Sequence, residues 1–253
     1  MTARLRLLNG FSVEICGEER DVPVPAQRLL AYLALVGRPT RSALAGHLWP
    51  EVGERQALGS LRSTLWRLQR TAPGLVHLKP GSVRIAPEVE VDARSLREWA
   101  EAVLNGDGTP EPGSQEVLTS ELLPGWYDDW VIAEREHLHQ LRVQALEVLA
   151  ERLTRAGAPA RALTVAYAAV RSEPLRESAH RAVIRAHLAQ GNTASAMEQY
   201  EECCRLLVTE IGAPPSRQLD ELVLAFRTAR PRRRHRTPAT WGPRGRRSSP
   251  TRP

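Results

Sequence analysis

Residues 54–70 read ERQALGSLRSTLWRLQR, and this stretch decides how the first part of the chain folds. Leucines recur in it at the i, i+3, i+4, i+7 spacing that places side chains on one face of an α-helix. The leucines concerned are Leu58, Leu61, Leu65 and Leu68. We therefore predict an amphipathic helix over residues 54–70 whose leucine face is buried in a core.

The opposite face of this helix is positively charged. It carries Arg55, Gly59, Ser63, Trp66, Arg67 and Arg70, with Arg62 on the flank. Arginine offers paired donors to guanine edges and to phosphates, and serine can contact either. Because no acid follows Glu54 in the helix, the acid–base pairs that support an ordinary solvated helix are missing. The pattern favours a helix that reads the DNA major groove, and a solvated basic surface is the alternative.

Gly59 is the unexpected residue of this polar face. Glycine costs a helix about 1 kcal/mol relative to alanine. Because it carries no side chain, it would let the helix backbone approach another surface closely.

The charge of the chain is distributed unevenly over its 253 residues. Residues 1–92 contain 12 basic and 9 acidic side chains, a net charge of +3, and residues 93–229 contain 14 and 20, a net charge of −6. Residues 230–253 contain 9 basic side chains and no acid. Such asymmetry suggests a polyanion partner for part of the chain. We predict a DNA-binding domain over residues 1–92, a helical domain over 93–229 and a disordered arginine- and proline-rich tail over 230–253.

The sequence lacks the motifs of several other protein classes. Cys16, Cys203 and Cys204 form neither a spaced disulfide framework nor a zinc-finger cluster. No GxxxxGK phosphate loop, HExxH or GxSxG motif occurs, so we predict no enzyme, no cofactor and no metal site. No run of about 18 apolar residues occurs, so we expect a soluble, cytoplasmic protein without membrane contact.

Short apolar runs before the central helix predict a small antiparallel sheet. These runs are residues 5–8, 11–15 and 22–24. Pro25 suits the first turn of a following helix. Thr40 can then cap a second short helix that ends at Trp49.

A hairpin is predicted after the central helix. Residues 75–78 and 83–85 are apolar runs, and the turn between them carries Lys79, the only lysine of the chain. Strands, three helices and a hairpin follow one another as in a winged helix. In that fold the third helix enters the major groove, and the hairpin reaches phosphates or the minor groove.

This order assigns roles to the charged side chains. Arg67 and Ser63 are the predicted base contacts. The predicted contacts to the DNA backbone are Arg55, Arg62, Arg70 and Lys79. For Lys79 and Arg84, an ordinary exposed turn is the alternative.

Helical patterns fill the region after the hairpin. One helix is predicted to start at Asp92 or Ser95, and a long one to span residues 130–156. Gly157 and Gly191 lie 34 residues apart, as do Ala162 and Ala196. This period resembles the paired helices of tetratricopeptide repeats, which stack to share a core. We predict a protein-binding helical module, with a purely structural cap on the DNA-binding domain as the alternative.

Two tryptophans and two acids cluster just before the long helix. Trp126 and Trp130 are predicted to pack the two parts of the chain together, and Asp128 and Asp129 to cap the helix. A contact with the transcription machinery is the alternative interpretation.

These residues carry a resemblance to a known family. Two runs resemble the DNA-binding domain of the Streptomyces antibiotic regulatory protein family, whose winged helix is similar to that of OmpR-type response regulators. They are LRLLNGFSVEICGEERDVPVPAQRLLAYLAL (5–35) and HLWPEVGERQALGSLRSTLWRLQR (47–70). The run ELLPGWYDDWVIAEREHLHQLRVQALEVL (121–149) resembles the opening of the bacterial transcriptional activator domain of that family. The similarity spans roughly residues 5–223, which is more specific than any single short motif.

The resemblance implies a transcriptional activator that regulates antibiotic biosynthesis and other secondary metabolism. Such a protein binds direct repeats in promoter DNA as two protomers and recruits RNA polymerase. Compared with the larger regulators of the family, we expect no ATPase or sensor segment. A helical-repeat adaptor whose first domain has lost specific DNA recognition is the second hypothesis.

Overall fold

The computed structural model describes residues 2–37, 39–79, 81–106 and 119–228. A small sheet with three helices forms the first part, and helices alone form the second. None of the helices in these residues combines the length and the apolarity needed to cross a membrane. The disordered tail predicted for residues 230–253 lies outside the described residues.

Six strands occur in the described residues of the first part. They are β1 Ala3–Arg6, β2 Ser12–Ile15, β3 Glu18–Glu19, β4 Val76–Lys79, β5 Ser82–Ile85 and β6 Val89–Val91. One sheet has the order β3-β2-β1-β6, and β4 and β5 form a separate hairpin. The antiparallel β1–β2 pair and the hairpin confirm two predictions. The parallel pairing of β6 with β1 was not predicted.

The third predicted strand, at residues 22–24, is wrong. Pro23 and Pro25 flank Val24, and neither proline can donate a ladder hydrogen bond. Val24 begins a helix instead, with a proline in the first turn. The third strand of the sheet is the short β3, which pairs with β2.

Three helices share one apolar core with the strands. They are α1 Val24–Leu35, α2 Arg41–Leu48 and α3 Glu54–Thr71. The Thr40 hydroxyl accepts a hydrogen bond from the backbone nitrogen of Ala43 at 3.3 Å, so the predicted cap of α2 is confirmed. Strands, three helices and a hairpin thus follow in the predicted winged-helix order.

One apolar core joins the sheet, the helices and the start of the second part. Its largest fully buried side chains include Leu5, Leu7, Leu29, Leu30, Leu33, Leu44, Leu48, Leu61 and Leu68. The same cluster contains Leu96, Leu122 and Leu138. Packing therefore continues past residue 92.

Six helices form the second part as far as it is described. They are α4 Asp92–Asn105, α5 Asp129–Arg155, α6 Pro159–Ser172, α7 Glu177–Ala189, α8 Thr193–Ile211 and α9 Arg217–Thr228. Gly157 precedes α6 and Gly191 precedes α8, each with a φ of 76°. Ala162 and Ala196 are both fully buried. The predicted repeat is confirmed, because equivalent residues 34 positions apart share backbone conformation and burial.

The tryptophan cluster packs the two parts together, as predicted. Trp126 stacks on Phe11 with their ring centroids 6.0 Å apart. Trp130 meets Tyr32 of α1 edge-on, with the centroids 5.2 Å apart. Such aromatic pairs add about 0.5–1.5 kcal/mol beyond their burial.

The predicted capping of α5 by Asp128 is wrong. This residue occupies the N-cap position, but its side chain makes no cap hydrogen bond. The carboxylate instead pairs with the guanidinium of Arg28 on α1, and in this bond both partners are charged. Asp129 lies in the first turn of α5, where negative charge is favourable.

Candidate nucleic-acid interface

The core of the first part holds α3 by its apolar face. The buried residues of this helix are Ala57, Leu61, Thr64, Leu65 and Leu68. Leu58 is half-buried and packs against the same cluster. The predicted leucine face is confirmed, and the helix cannot rotate without exposing these side chains.

The opposite face of α3 is open to solvent. All six side chains predicted to contact DNA are exposed, namely Arg55, Arg62, Ser63, Arg67, Arg70 and Lys79. Within the described residues, none of these cations forms an ion pair with a carboxylate. The one acid of the helix, Glu54, lies in its first turn, where it interacts favourably with the helix dipole. The positive charge of the face is therefore available to an external anion.

Trp66 and Arg70 form a stacked pair on the exposed face of α3. The Arg70 guanidinium carbon lies 4.8 Å from the Trp66 ring centroid, and 57% of Trp66 is exposed. A cation–π contact at an exposed site contributes about 0.5–1 kcal/mol. The ring restricts the guanidinium while leaving its charge in place.

An open groove of about 630 Å³ runs along α3. It is lined by Pro25, Trp49, Gln56, Gly59, Ser60, Arg62, Ser63, Thr64 and Arg67. Gln56 and Ser60 were not among the predicted contacts. They lie two turns and one turn before Ser63 on the same side of the helix, so helical spacing would have found them. Trp49 follows α2, so only the tertiary structure places it here.

The hairpin lies beside the start of α2. Lys79 and Ser82 are paired across its tip, and Gly81 has a φ of 77°. The backbone nitrogen of Arg41 donates to the Gly81 carbonyl at 3.4 Å, and Thr40 forms a β-bridge with Ser82. These backbone contacts hold the tip with its lysine against the helical layer.

Gly59 has free space around its α-carbon. A Cβ built there would meet only Nη2 of Arg62, at 3.9 Å, which is ordinary van der Waals distance. Packing among the described residues therefore does not require glycine at this position. The cost of about 1 kcal/mol that glycine imposes on a helix has no compensation inside the described part of the protein.

The second part of the chain matches a known family model. Residues 93–227 match the model of the bacterial transcriptional activator domain. The matched segment runs from α4 to α9 and covers more than half of the chain.

Two curated proteins are similar to most of the chain. The regulatory protein AfsR of Streptomyces coelicolor is 28% identical over 221 residues, which cover 81% of this chain and 22% of that protein. The regulatory protein AfsR of Streptomyces griseus is 27% identical over 213 residues, which cover 78% of this chain and 22% of that protein. The chain thus spans about a fifth of the length of these relatives.

A solved structure shares the fold. Mycobacterium tuberculosis EmbR, determined in complex with a low affinity phosphopeptide, superposes with a TM-score of 0.68 at 20% sequence identity. The match covers 90% of this chain and 66% of the EmbR chain. It extends across both the winged-helix part and the helical part.

Proposed function

This chain belongs to the bacterial transcriptional activator domain family, of the Streptomyces antibiotic regulatory protein type, and on that premise we propose that it activates transcription by binding specific DNA sequences through α3. In this proposal Arg67 and Ser63 contact base edges in the major groove. The DNA backbone is held by Arg55, Arg62, Arg70 and Lys79.

One observation carries this proposal. The outward face of α3 presents four arginines that have no carboxylate partner among the described residues. A folded protein gains little from leaving such charges unpaired, whereas a duplex with its dense phosphate charge gains counterion release when they bind. The hairpin with Lys79 follows α3 in the chain, as the wing does in a winged helix.

We further propose that two protomers bind direct repeats in promoter DNA. If both protomers meet the same face of the duplex, the repeats are spaced by about 10 to 10.5 base pairs or a multiple. The helical part then recruits RNA polymerase to genes of secondary metabolism. A protein with this function works in the cytoplasm on the nucleoid.

We place the division between the two working parts at residues 92 and 93. Asp92 begins α4, and its carboxylate accepts hydrogen bonds from the backbone nitrogens of Leu7 and Leu8 at 2.9 and 3.1 Å. The family match starts at the next residue. We therefore propose a division of function and not of packing, because the apolar core of the first part continues past residue 92.

A gel-shift titration tests the proposal. The purified chain is titrated into DNA from upstream of its own gene, with unrelated competitor DNA and at several salt concentrations. We expect preferential binding of one fragment and a linear fall of log K with log salt. An adaptor without DNA recognition would bind the upstream fragment no better than the competitor.

Arg67→Ala separates base contact from backbone contact. We expect a loss of about 1–3 kcal/mol in specific binding and relaxed discrimination at one base pair. Lys79→Ala is the comparison, because it should weaken binding evenly on all sequences and reduce the salt slope by about one. If Arg67→Ala also weakens all sequences equally, Arg67 is a phosphate contact and the base assignment is wrong.

A further inference from the structure

A basic pocket lies where the two parts of the chain meet. Three segments form it: residues 119–122, the first half of α5, and the end of α6. Its volume is about 590 Å³, within the range of about 300–1,000 Å³ typical of small-molecule sites. None of the residues assigned to DNA contact lines it.

Arg142 of α5 is the buried charge of this pocket, with 6% of its surface exposed. Its Nη1 donates to the carbonyl of Ser120, and its Nη2 donates to Nδ1 of His139 at 3.2 Å. Its Nε is buried and has no hydrogen-bond partner among the described residues. Because His139 accepts at Nδ1, its own proton lies on Nε2.

The pocket has more positive than negative charge. Arg135 pairs with Glu121 at 3.3 Å, which neutralises one of its arginines. In the described part of the chain, neither Arg142 nor Arg171 forms an ion pair with a carboxylate. Glu136 also lines the pocket, and its Oε1 accepts a hydrogen bond from Gln140 at 2.9 Å.

The contacts that Arg142 makes with other described residues do not require an arginine. A carbonyl and a neutral imidazole could be satisfied by an uncharged amide donor. Burying a full positive charge without a counter-charge is unfavourable, and burial accordingly lowers the pKa of Arg142. An anion in the pocket would offset that cost.

We propose that this pocket binds a small molecule through an oxyanion, either a carboxylate or a phosphate group. Arg142 supplies the buried charge, Arg171 supplies a second guanidinium from α6, and His139 supplies a neutral N–H donor. Guanidinium groups match carboxylate and phosphate oxygens in geometry and charge. The ligand class is therefore a small organic acid or phosphate ester.

The position of the pocket gives the ligand a structural consequence. Leu122 forms a β-bridge with Leu8, and the Glu121 carbonyl accepts from the Asn9 backbone nitrogen at 2.8 Å. Residues 119–122 are thus attached to the sheet of the first part, whereas Arg171 belongs to the repeat helices. A bound oxyanion joins the two, so it should raise the melting temperature of the whole chain.

Isothermal titration of the full chain tests the site. Inorganic phosphate and succinate are the two probes, each at constant ionic strength with chloride as the reference salt. We expect saturable binding of at least one probe with one site per chain, and a matching rise in melting temperature. The stronger of the two probes tells whether the site prefers phosphate or carboxylate.

Arg171→Gln is the decisive variant, because the side chain is exposed and its loss leaves the core intact. We expect it to weaken binding of the probe about tenfold, as for one charge-assisted hydrogen bond. Arg217→Gln is the matched control, since it removes the same charge from an exposed side chain of α9 outside the pocket. It should leave probe binding unchanged.

Arg67→Gln tests whether the probes bind to the exposed face of α3 instead of the pocket. The site assignment is overturned if Arg67→Gln abolishes probe binding, if Arg171→Gln leaves the affinity unchanged, or if neither probe binds the wild-type chain. These results are independent of DNA recognition, which the gel-shift titration measures on its own.

Discussion

Arginines on the exposed face of α3 and arginines of the helical part differ in their partners. In the helical part, as far as it is described, seven arginines form ion pairs with carboxylates, as in the contacts of Arg176 with Glu147 at 2.9 Å and of Arg97 with Glu134 at 2.6 Å. On α3, the four arginines of the exposed face have no such partner in the described residues. The residue type is the same, so the placement of the acids makes the difference.

The number of arginines alone does not reveal which of them are available to bind a partner. Basic residues are abundant throughout the chain, yet the net charge is +3 over residues 1–92 and −6 over residues 93–229. In the second part the charge pairs lie within helices or between them, as Arg97–Glu134 does between α4 and α5. On α3 the charges contribute little to stability and remain free for a polyanion. Arg142 and Arg171 have no carboxylate partner among the described residues, and the proposed oxyanion site accounts for them.

The largest loss of stability is expected when a buried side chain that anchors α3 in the core is truncated. Leu68 is fully buried, so Leu68→Ala should lower the free energy of unfolding by about 2–5 kcal/mol. DNA binding should fall with it, because the exposed face is then no longer positioned. Urea unfolding followed by circular dichroism measures the effect.

Leu78→Ala is the control for this loss. Leu78 lies in the hairpin strand β4 with 40% of its surface exposed, so its truncation should cost much less stability than that of Leu68. An unchanged unfolding midpoint for Leu68→Ala would show that the inner face of α3 is not the one described here.

Gly59→Ala sharpens the comparison, because it should change stability and DNA binding in opposite directions. A Cβ fits without a clash, so we expect the free energy of unfolding to rise by up to about 1 kcal/mol. If the helix backbone approaches DNA closely at this point, the same methyl group should weaken specific binding. Thermal unfolding and gel-shift titration of the same preparation measure both.

Ala57→Gly provides the reverse control on the same helix. Ala57 is buried, so glycine there should lower stability without adding anything to the DNA-facing surface. A Gly59→Ala variant that binds DNA as tightly as the wild type would reject the close approach at residue 59.

Sequence patterns were sufficient to predict those elements that one regular residue spacing defines. The leucines of α3 share one face because helical spacing alone puts them there. Gly157 and Gly191 adopt the same backbone conformation because both stand before the first helix of a repeat. Such features depend on a short stretch of chain, and the sequence displays them directly.

Long-range partners could not be found in this way. Strand β6 pairs with β1, with Ala3 opposite Val89, 86 residues away in the chain. No local sequence pattern predicts this pairing. Asp128 turned to Arg28 on α1 instead of capping its own helix. Arg142 reads in the sequence as an ordinary helix residue, and only the fold buries it. The roles of the predicted DNA contacts remain predictions, since exposure fixes their accessibility and not their partner.

The smallest effect is expected where an arginine of the helical part is paired at the surface. Arg217 contacts Glu221 at 2.7 Å one turn along α9, with 90% of its side chain exposed. Such a pair contributes about 0.3–0.5 kcal/mol, so Arg217→Ala should lower the melting temperature only slightly, and 0.5 M salt should remove most of the difference by screening. Specific DNA binding should match that of the wild type. The contrast between α3 and the repeat helices requires that removing a paired charge leaves DNA recognition unchanged. A loss of DNA affinity as large as that of Arg67→Ala would therefore mean that free and paired arginines are not functionally distinct.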